Sequence, residues 1–316
     1  MELKPVVPFE PVRTDTIPNG EKWVYQVKWD GVRMLTYYDG NEIRLINRKG
    51  NERTLQYPEY TDIRSYCTAE SVILDGEIIA LEGGKPSFHR VMSRDGIRKR
   101  EELAKARQRI PVTYLIFDVL YLNGGWVIED PLIRRQELLR EIIRPRHDLQ
   151  LVEDFKDGAA LFEAVRAAGM EGIVCKDLNS TYLVGGKDKR WQKKKNYRDI
   201  TAVIGGATFR GDTVNAVLLG QYNERDELIY IGRAGTGRLS HQDWKDLTLI
   251  IKPLEVSECP FNGVPSSMKG VLWVKPRLVV MVRFIQWTGS GTLRQPSIQG
   301  LVDVPPEECT LGGERN

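Results

Sequence analysis

The chain has 316 residues, which is enough for two domains that each bury a core. Because its net charge is only +3, composition alone gives no argument for nucleic-acid binding, and 41% hydrophobic with 28% charged residues is an ordinary globular composition. Four scattered cysteines and three histidines exclude a disulfide framework and the usual zinc-ligand spacings. No signal peptide and no apolar run of about 20 residues is recognised, so we expect a cytoplasmic protein without a membrane partner.

Short strands dominate the predicted elements, and helical patterns lie between them. Strands are predicted at 23–29, 34–38, 43–47, 72–81, 112–121, 172–176, 201–208, 214–222, 228–233 and 271–284. Helices are predicted at 98–109, 132–144, 158–168 and 241–251. The first two-thirds therefore has an α+β pattern and the last third is rich in strands, which predicts domains at 1–197 and 198–316.

Positive charge is concentrated in two stretches. Residues 187–198 hold seven Lys or Arg against one Asp, and residues 89–109 hold eight against three acids. Such clusters can contact a phosphate backbone. For residues 89–109 a solvated helix face is an equally good interpretation.

The segment WVYQVKWDGVR, residues 23–33, places one lysine among aromatic residues and valines. On a strand, Trp23, Tyr25, Val27 and Trp29 point to one side, whereas Gln26, Lys28 and Asp30 point to the other. Burial lowers the pKa of a lysine, and an uncharged amine is a nucleophile. We therefore expect a dry, reactive Lys28, although a surface lysine on an edge strand fits the same short pattern.

Phosphate-binding loops of the usual kind are missing from the sequence. It contains no G-x-x-x-x-G-K-[ST] segment, which argues against a P-loop. GRAGTG at 232–237 follows a predicted strand in the β-rich part and does not open a βαβ unit. We interpret it as a turn that ends the strand.

The pattern K-x-D-G-x-R, formed by Lys28, Asp30, Gly31 and Arg33, resembles the nucleotidyl-lysine motif of ATP-dependent DNA ligases, RNA ligases and mRNA capping enzymes. Further segments resemble the later motifs of that superfamily in the family's order: NRKG (47–50), ILDGEIIAL (73–81), YLIFDVLYLNG (114–124), EGIVCK (171–176) and WQKKK (191–195). The segment 284–304 resembles the carboxy-terminal motif of the ligase module of bacterial end-joining ligase D. The resemblance covers residues 5–304.

The resemblance implies an α+β fold: a nucleotidyltransferase domain of antiparallel sheets with flanking helices, followed by a β-barrel OB-fold domain. It implies a DNA ligase that joins a 5′-phosphate to a 3′-hydroxyl through a lysyl-AMP intermediate and uses ATP with Mg²⁺ or Mn²⁺. Nicked or broken double-stranded DNA is the implied partner. DNA repair or recombination, a Ku-type end-binding partner, a monomeric state and a nucleoid-associated location in a bacterium or phage host are further expectations.

The resemblance also implies catalytic roles for the lysines. Lys28 receives AMP, and Lys193 and Lys195 lie at the α-phosphate, where they offset shifting negative charge. The two side chains lie on one strand face, with Lys194 opposite. We expect like-charge repulsion from both to favour the neutral form of Lys28.

Other positions are implied to bind nucleotide, metal or DNA. Glu77 meets the ribose or a metal, and Glu171 holds the divalent ion. Phe117 stacks on adenine. The cationic contacts are Arg33 near the nucleotide, Arg48 at the 5′-phosphate of the nick and Arg294 at the outer phosphates of ATP.

For two of these positions a purely structural role is an alternative. Glu77 lies on an apolar strand, where a carboxylate is expensive unless it binds something, and a buried salt bridge to Arg33 is the alternative. Phe117 in LIFDVLYL can be a simple core residue. Tyr182 and Arg190 fall in a motif-bearing segment, but the sequence does not decide their role.

Two positions depart from the family pattern. The residue two before the lysine is usually Glu and often reads the adenine amino group, whereas Gln26 occupies it here and can accept the same hydrogen bond. The carboxy-terminal motif usually ends with Arg and Lys, but LVDVPPEE has neither. We therefore expect slow self-adenylylation.

Rival functions are an ATP-dependent RNA ligase, a GTP-using capping enzyme and a nucleic-acid-binding module that has lost catalysis. The W-T-x-x-G-x-L-R-x-P segment favours a DNA ligase. Retention of Lys28, Glu77, Glu171, Lys193 and Lys195 argues against lost catalysis. The pathway, the preferred metal and whether the chain is a stand-alone enzyme or a module stay open.

Overall fold

The computed structural model describes residues 3–263, 268 and 270–312. The chain divides into two compact units, Met1–Asn196 and Tyr197–Asn316. The sequence-based boundary after residue 197 lies one residue from this division. No helix in the described ranges is both long and apolar enough to cross a bilayer.

The first unit contains eleven of the strands and four of the helices in the part of the chain that the structure describes. Its strands are β1 Glu10–Arg13, β2 Trp23–Val27, β3 Val32–Tyr38, β4 Ile43–Asn47, β5 Val72–Glu82, β6 Lys85–Pro86, β7 Val112–Leu122, β8 Gly125–Trp126, β9 Leu149–Leu151, β10 Gly172–Asp177 and β11 Lys187–Lys195. Its helices are α1 Phe88–Asp95, α2 Arg100–Arg109, α3 Leu132–Ile142 and α4 Gly158–Ala167. Short 3₁₀ turns lie at Thr54–Gln56, Pro58–Tyr60 and Ile63–Ser65.

Two mainly antiparallel sheets form this unit. The lysine sheet, as we name the first, has the strand order β1-β11-β10-β2. The central sheet has the order β4-β3-β5-β7-β8, with β6 beside β5 and β9 beside β7. Only β1 with β11 and β7 with β9 pair in parallel among these strands. The resulting α+β architecture of antiparallel sheets with flanking helices agrees with the expected fold class.

Alternation along β2 and β10 gives the lysine sheet two different faces. Trp23, Tyr25, Ile173 and Cys175 pack with α4 in one apolar cluster. The register pairs Gln26 with Val174 and Val174 with Lys193, so the polar side chains lie on the opposite face. The predicted orientation of Trp23, Tyr25 and Val27 is confirmed, although β2 ends at Val27 rather than at residue 29.

The second unit contains the remaining strands and one helix of the described residues. Its elements are β12 Arg198–Arg210, β13 Thr213–Tyr222, β14 Leu228–Ala234, α5 His241–Ile251, β15 Glu255–Val256, β16 Leu272–Val274, β17 Val279–Phe284 and β18 Ser297–Val302, with 3₁₀ turns at Lys252–Leu254 and Pro306–Glu308. Strands β14, β13, β12, β17 and β18 pair in that order.

A pair of backbone contacts closes this sheet on itself. Arg238 N donates to Ile298 O at 2.8 Å, and Ile298 N donates to Thr236 O at 2.8 Å, so the chain just after β14 pairs with β18. The closed part of the sheet encloses an apolar core. The unit is the expected OB-fold barrel.

Three differences from the predicted elements have physical reasons. The run 271–284 splits into β16 and β17 because Pro276 interrupts it. Helix α1 was not predicted, since its start depends on one cap in which Ser87 accepts from Arg90 N. Strand β1 was also missed because its parallel partner β11 is remote in sequence.

Candidate active site

Lys28 lies one residue beyond β2, with its side chain directed to the polar face of the lysine sheet. Its backbone N–H donates to Gly172 O at 2.9 Å, and its Nζ lies 2.7 Å from Oε2 of Glu171. The side chain is 23% exposed. The expectation of a dry amine is therefore wrong, because the side chain is partly accessible, and the sequence did not show that it pairs with an acid. The alternative, a surface lysine on an edge strand, is right that β2 is an edge strand but wrong about the lysine, which is mostly buried.

Two glycines of the motifs allow close approaches of backbone around Lys28. A Cβ on Gly31 would overlap the carbonyl oxygen of Ile78 on β5. A Cβ on Gly172 would overlap the carbonyl oxygen of Lys194, and the φ of +145° at Gly172 also disfavours any other residue. Glycine at position 31 therefore lets the chain after Lys28 approach β5, and glycine at position 172 lets the start of β10 approach β11.

Glu171 joins two of the predicted lysines. Its side chain is 5% exposed, its Oε2 accepts from Lys28, and its Oε1 lies 3.0 Å from Nζ of Lys195. Burial alone would raise the pKa of Glu171, but the positive charges of Lys28 and Lys195 outweigh it and lower the pKa. The acid is thus held ionised between two ammonium groups.

Lys193 lies beside this group on the same face of β11. Burial lowers the pKa of Lys193, and the nearby charges of Lys28 and Lys195 lower it further. Lys194 points to the other side, where its Nζ donates to Asp15 O at 2.7 Å and lies 4.9 Å from the centre of the Phe162 ring. The predicted facing of the three consecutive lysines is confirmed.

Glu77 faces the same site from the central sheet. Burial raises its pKa to about 7, although Lys28 and Arg33 act in the opposite direction. Within the described residues its carboxylate has no ion pair or hydrogen bond. The alternative of a buried salt bridge from Glu77 to Arg33 is wrong.

Arg33 pairs instead with Asp75. Its Nε lies 2.9 Å from Oδ1 of Asp75 and its NH2 lies 2.6 Å from Oδ2. NH1 donates to Phe9 O at 2.7 Å. Tyr182 donates to Asp75 at 2.7 Å and accepts from Phe9 N at 3.0 Å. Most donors of this guanidinium are consumed by the protein, so it acts on the site mainly as a fixed charge.

Phe117 lies at the border between core and site. Its partly buried ring meets the Trp191 ring edge-on at 6.1 Å. The Nζ of Lys176 lies 4.2 Å from the Phe117 ring centre and 4.1 Å from that of Trp191. Lys176 is 2% exposed and its Nζ has no hydrogen-bond partner, and burial lowers its pKa to about 8. The ring therefore packs in the core on one side and borders the site on another.

Gln26 is held by an acid from a distant loop. Its Nε2 donates to Oδ1 of Asp154 at 2.7 Å, and the side chain is buried. Gln136 on α3 donates to the same oxygen at 3.0 Å. Arg140, also on α3, lies 2.9 Å from Oδ2.

Arg48 lies at the margin of the group. Its NH1 is 3.0 Å from Oε1 of Glu10, and the arginine side chain is 55% exposed. Lys187 Nζ lies 3.9 Å from the other oxygen of Glu10. Arg190 is held by Asp188 and by the Thr181 hydroxyl, which gives it a structural partner in its own segment.

The basic stretch 89–109 forms α1 and α2 and is only partly a surface. Arg94 is fully buried, where it pairs with Glu59 at 2.6 Å. Six other cationic residues of the stretch are exposed, namely Arg98, Lys99, Arg100, Lys105, Arg107 and Arg109. These six can form a phosphate-binding surface.

Arg294 lies in the second unit, between β17 and β18. Its backbone N–H donates to Gln286 O at 2.9 Å. The first three residues of GRAGTG are the last of β14 and the rest lead into the segment that closes the barrel, so the prediction that this segment ends the strand is confirmed. The role given to Arg294 stays a prediction.

The sequence interpretation missed four residues of this region: Asp75, Asp154, Lys176 and Glu10. Asp75 and Lys176 lie inside quoted motifs, and a charged residue in an apolar strand was the available signal for both. Asp154 and Glu10 have no such signal, because only the tertiary fold brings their segments to the site.

Two family models match the chain. Residues 10–195 match the ATP dependent DNA ligase domain, and residues 210–303 match the ATP dependent DNA ligase C terminal region. The multifunctional non-homologous end joining protein LigD of Mycolicibacterium smegmatis is 32% identical over 91% of this chain and 37% of its own length. The chain thus spans little more than a third of that relative.

Solved structures give the same result. The ligase domain of M. tuberculosis LigD is 31% identical, with a TM-score of 0.53, and the match covers 97% of this chain and 98% of that domain. A mycobacterial DNA ligase D complexed with ATP and MES is also 31% identical, with a TM-score of 0.54, over 96% and 98% of the two chains. The chain therefore belongs to the ATP-dependent DNA ligase family.

Proposed function

We propose that this chain seals nicks or broken ends in double-stranded DNA by joining a 5′-phosphate to a 3′-hydroxyl through an AMP-charged Lys28. The observation that carries the proposal is the pairing of Glu171 with both Lys28 and Lys195, beside Lys193, on one sheet face. Three cationic side chains directed at one small region suit a polyphosphate. A purely structural ion pair would need only one lysine for Glu171, whereas the acid has two.

The first step forms a bond from Nζ of Lys28 to the α-phosphorus of ATP and breaks the bond to pyrophosphate. The ammonium proton passes from Nζ to water or to the departing pyrophosphate before or during attack. Glu171 orients the amine through their 2.7 Å contact, and Lys193 and Lys195 offset the charge that develops on the phosphoryl oxygens. AMP then passes to the DNA 5′-phosphate, and the 3′-hydroxyl displaces it.

Four residues are proposed to hold the adenosine part. Gln26 contacts the base edge, Phe117 stacks on the base and Glu77 meets the ribose. Arg33 supplies a fixed positive charge from its position on Asp75. The partly exposed ring of Phe117 and the unpartnered carboxylate of Glu77 support these roles.

The residues present fit a magnesium or manganese ion that arrives with the nucleotide. No group of three or more acids, histidines or cysteines converges on a metal position in the described parts of the chain. Mg²⁺ commonly uses one or two carboxylates and completes its shell with phosphate oxygens and water. Glu171 and Glu77 would hold it, and it would neutralise phosphate charge.

DNA contacts are proposed for Arg48 and for the exposed basic residues of α2 and of the segment that joins it to α1. Arg48 suits the 5′-phosphate of the nick because a guanidinium can donate twice to phosphate oxygens. Residues 1–197 then form the adenylylation domain and residues 198–316 the OB-fold domain, with Arg294 assigned to the outer phosphates of ATP.

The relationship to LigD supports a role in end-joining repair of DNA. We propose a monomeric enzyme that works with a Ku-type end-binding protein in the cytoplasm, at the nucleoid, of a bacterial or phage-infected cell. The pathway could be separated from general nick sealing by comparing nicked DNA with blunt broken ends in the presence and absence of such a protein.

The test follows label from α-³²P-ATP onto the protein and then onto nicked DNA. We expect one labelled lysine, Lys28, followed by transfer to DNA and a sealed strand. Lys28→Ala should lose both signals, whereas Lys22→Ala, a matched change of an exposed lysine near the same strand, should keep them. Strand joining by Lys28→Ala would overturn the proposal. A preference for nicked RNA would indicate an RNA ligase instead, and a preference for GTP would indicate a capping enzyme.

A further inference from the structure

The amide of Gln26 has one orientation imposed on it by Asp154. An ionised carboxylate only accepts hydrogen bonds, so the Gln26 group that lies 2.7 Å from Oδ1 must be the NH₂. Turning the amide over would place two oxygen atoms against each other. The carbonyl oxygen of Gln26 is therefore directed away from Asp154, and no described residue donates to it.

The position of Asp154 is itself fixed. The chain next to it pairs with β2, because Tyr25 N donates to Phe155 O at 3.0 Å and Phe155 N donates to Tyr25 O at 2.9 Å. Gln136 and Arg140 of α3 hold the two carboxylate oxygens. With three donors on it and only 15% exposure, the acid cannot readily turn its oxygens away from Gln26.

Given the proposed role of Gln26 at the base edge, we infer that Asp154 is a positioning residue that sets purine specificity. It makes Gln26 present only an acceptor. The Gln26 carbonyl can accept a hydrogen bond from the 6-amino group of adenine. The 6-oxo group of guanine or hypoxanthine is itself an acceptor, so two acceptors would face each other without a hydrogen bond. This inference rests on the proposed function.

The same geometry explains why glutamine and not glutamate occupies position 26. A glutamate there would place a second carboxylate about as close to Asp154 as the amide is now, and two such charges repel at short range. Glutamine supplies the same acceptor to the base and a donor to Asp154. The pair Gln26 and Asp154 is thus one functional unit.

The experiment compares ATP with ITP, which has a 6-oxo group, as donors for labelling Lys28. In Asp154→Asn the new amide can donate or accept, so Gln26 can turn over. We expect the ATP to ITP ratio of kcat/KM to fall by about tenfold or more, the ratio that one hydrogen bond is worth. Arg140→Met removes another contact of Asp154, but the Asp154 carboxylate still only accepts hydrogen bonds. The ATP to ITP ratio of kcat/KM should therefore stay unchanged in this variant.

A second part of the experiment tests whether Gln26 and Asp154 act together. Gln26→Glu alone should lose labelling by ATP, and Gln26→Glu with Asp154→Asn should recover it, because the asparagine can donate to the new carboxylate. The affinities for AMP and IMP, measured by calorimetry, should show the same change of selectivity without any reaction. These results would support the inference together.

Two outcomes overturn it. One is an ATP to ITP ratio of kcat/KM in Asp154→Asn that stays within about twofold of the ratio in the unsubstituted chain. This includes the case in which kcat/KM falls equally with both nucleotides, which would make Asp154 merely structural. The other is a double variant no better than Gln26→Glu. If the unsubstituted chain does not label with ATP at all, the proposed function itself fails and this inference falls with it.

Discussion

The carboxylate of Glu171 accepts a hydrogen bond from Nζ of Lys28 at 2.7 Å, so the candidate nucleophile and a nearly inaccessible acid form one charge-paired unit. Lys195 completes the unit on the other carboxylate oxygen. Removing the acid from such a group leaves positive charges close together without compensation. We therefore expect the unit to contribute both to the stability of the fold and to the placement of the Lys28 amine.

Glu171→Gln should lower Lys28 labelling by roughly 100-fold or more, because the amine loses its orienting partner. It should also lower the free energy of unfolding at neutral pH by about 1–3 kcal/mol. The lowered pKa of Glu171 gives a stabilisation that is present above the unfolded value of 4.5 and is lost as pH falls through the folded value. The difference in free energy of unfolding between the unsubstituted chain and Glu171→Gln, measured in urea, should therefore become smaller at acidic pH.

A matched control is Glu163→Gln, which changes an exposed acid paired with Arg166 on α4. This variant should keep both labelling and stability close to those of the unsubstituted chain. Full labelling by Glu171→Gln would contradict the role of the buried pair.

Glu77 should make the fold less stable as pH rises. Its pKa is about 7 in the folded chain and 4.5 without the burial, so the folded state holds the proton more tightly. Between these values the unfolded state loses its proton first, and stability falls until the folded group has also ionised. Glu77→Gln should therefore stabilise the chain by roughly 1–3 kcal/mol more at pH 8 than at pH 4.

Thermal or urea unfolding at several pH values would measure this effect. Glu82→Gln, an exposed acid on the same strand, provides the comparison. An equal effect of Glu77→Gln at both ends of the pH range would show that its carboxyl is not buried as described. Labelling of Lys28 in Glu77→Gln should fall as well, if the ribose or metal role is correct.

We expect Glu10 to compete with a DNA phosphate for Arg48. The two side chains lie 3.0 Å apart and the arginine is largely exposed, so the pair is weak and easily exchanged. Glu10→Gln should tighten binding to nicked DNA by up to about fivefold, whereas Arg48→Ala should weaken it. Binding at low salt to a nick with and without its 5′-phosphate would measure both effects. The gain from Glu10→Gln should disappear without that phosphate.

The charging step should be slow compared with sealing. The carboxy-terminal motif ends in LVDVPPEE without the usual Arg and Lys. Single-turnover labelling of Lys28 should therefore be slower than sealing of DNA that already carries AMP. Arg294→Ala should slow labelling further, by about tenfold or more, and leave the sealing of pre-adenylylated DNA nearly unchanged. Charging as fast as sealing would contradict this prediction.

Local patterns were enough to predict much of this protein. Alternation along 23–27 predicted which side chains face the core, and the same rule separated Lys193 and Lys195 from Lys194. Strand and helix positions followed from periodicity over most of the chain. These features depend on neighbours within a few residues, so the sequence contains the necessary information.

Partners across the fold could not be predicted in this way. Arg33 stands opposite Glu77 in the strand register, yet its guanidinium reaches Asp75 two residues away, where a bulge alters the spacing of β5 against β7. The Lys28 amine is paired because the fold brings Glu171, which lies just before β10 and 143 residues later, to within hydrogen-bond distance.

By itself, the sequence determined which residue types carry the chemistry, their order and the faces on which they lie, because side-chain alternation is a local property of the backbone. Only the tertiary structure decided which acidic side chain pairs with which basic one. It also decided that Asp154, 128 residues away, holds the amide of Gln26. The reason is that an ion pair or hydrogen bond depends on distances of a few tenths of an ångström, which are set by the packing of remote segments.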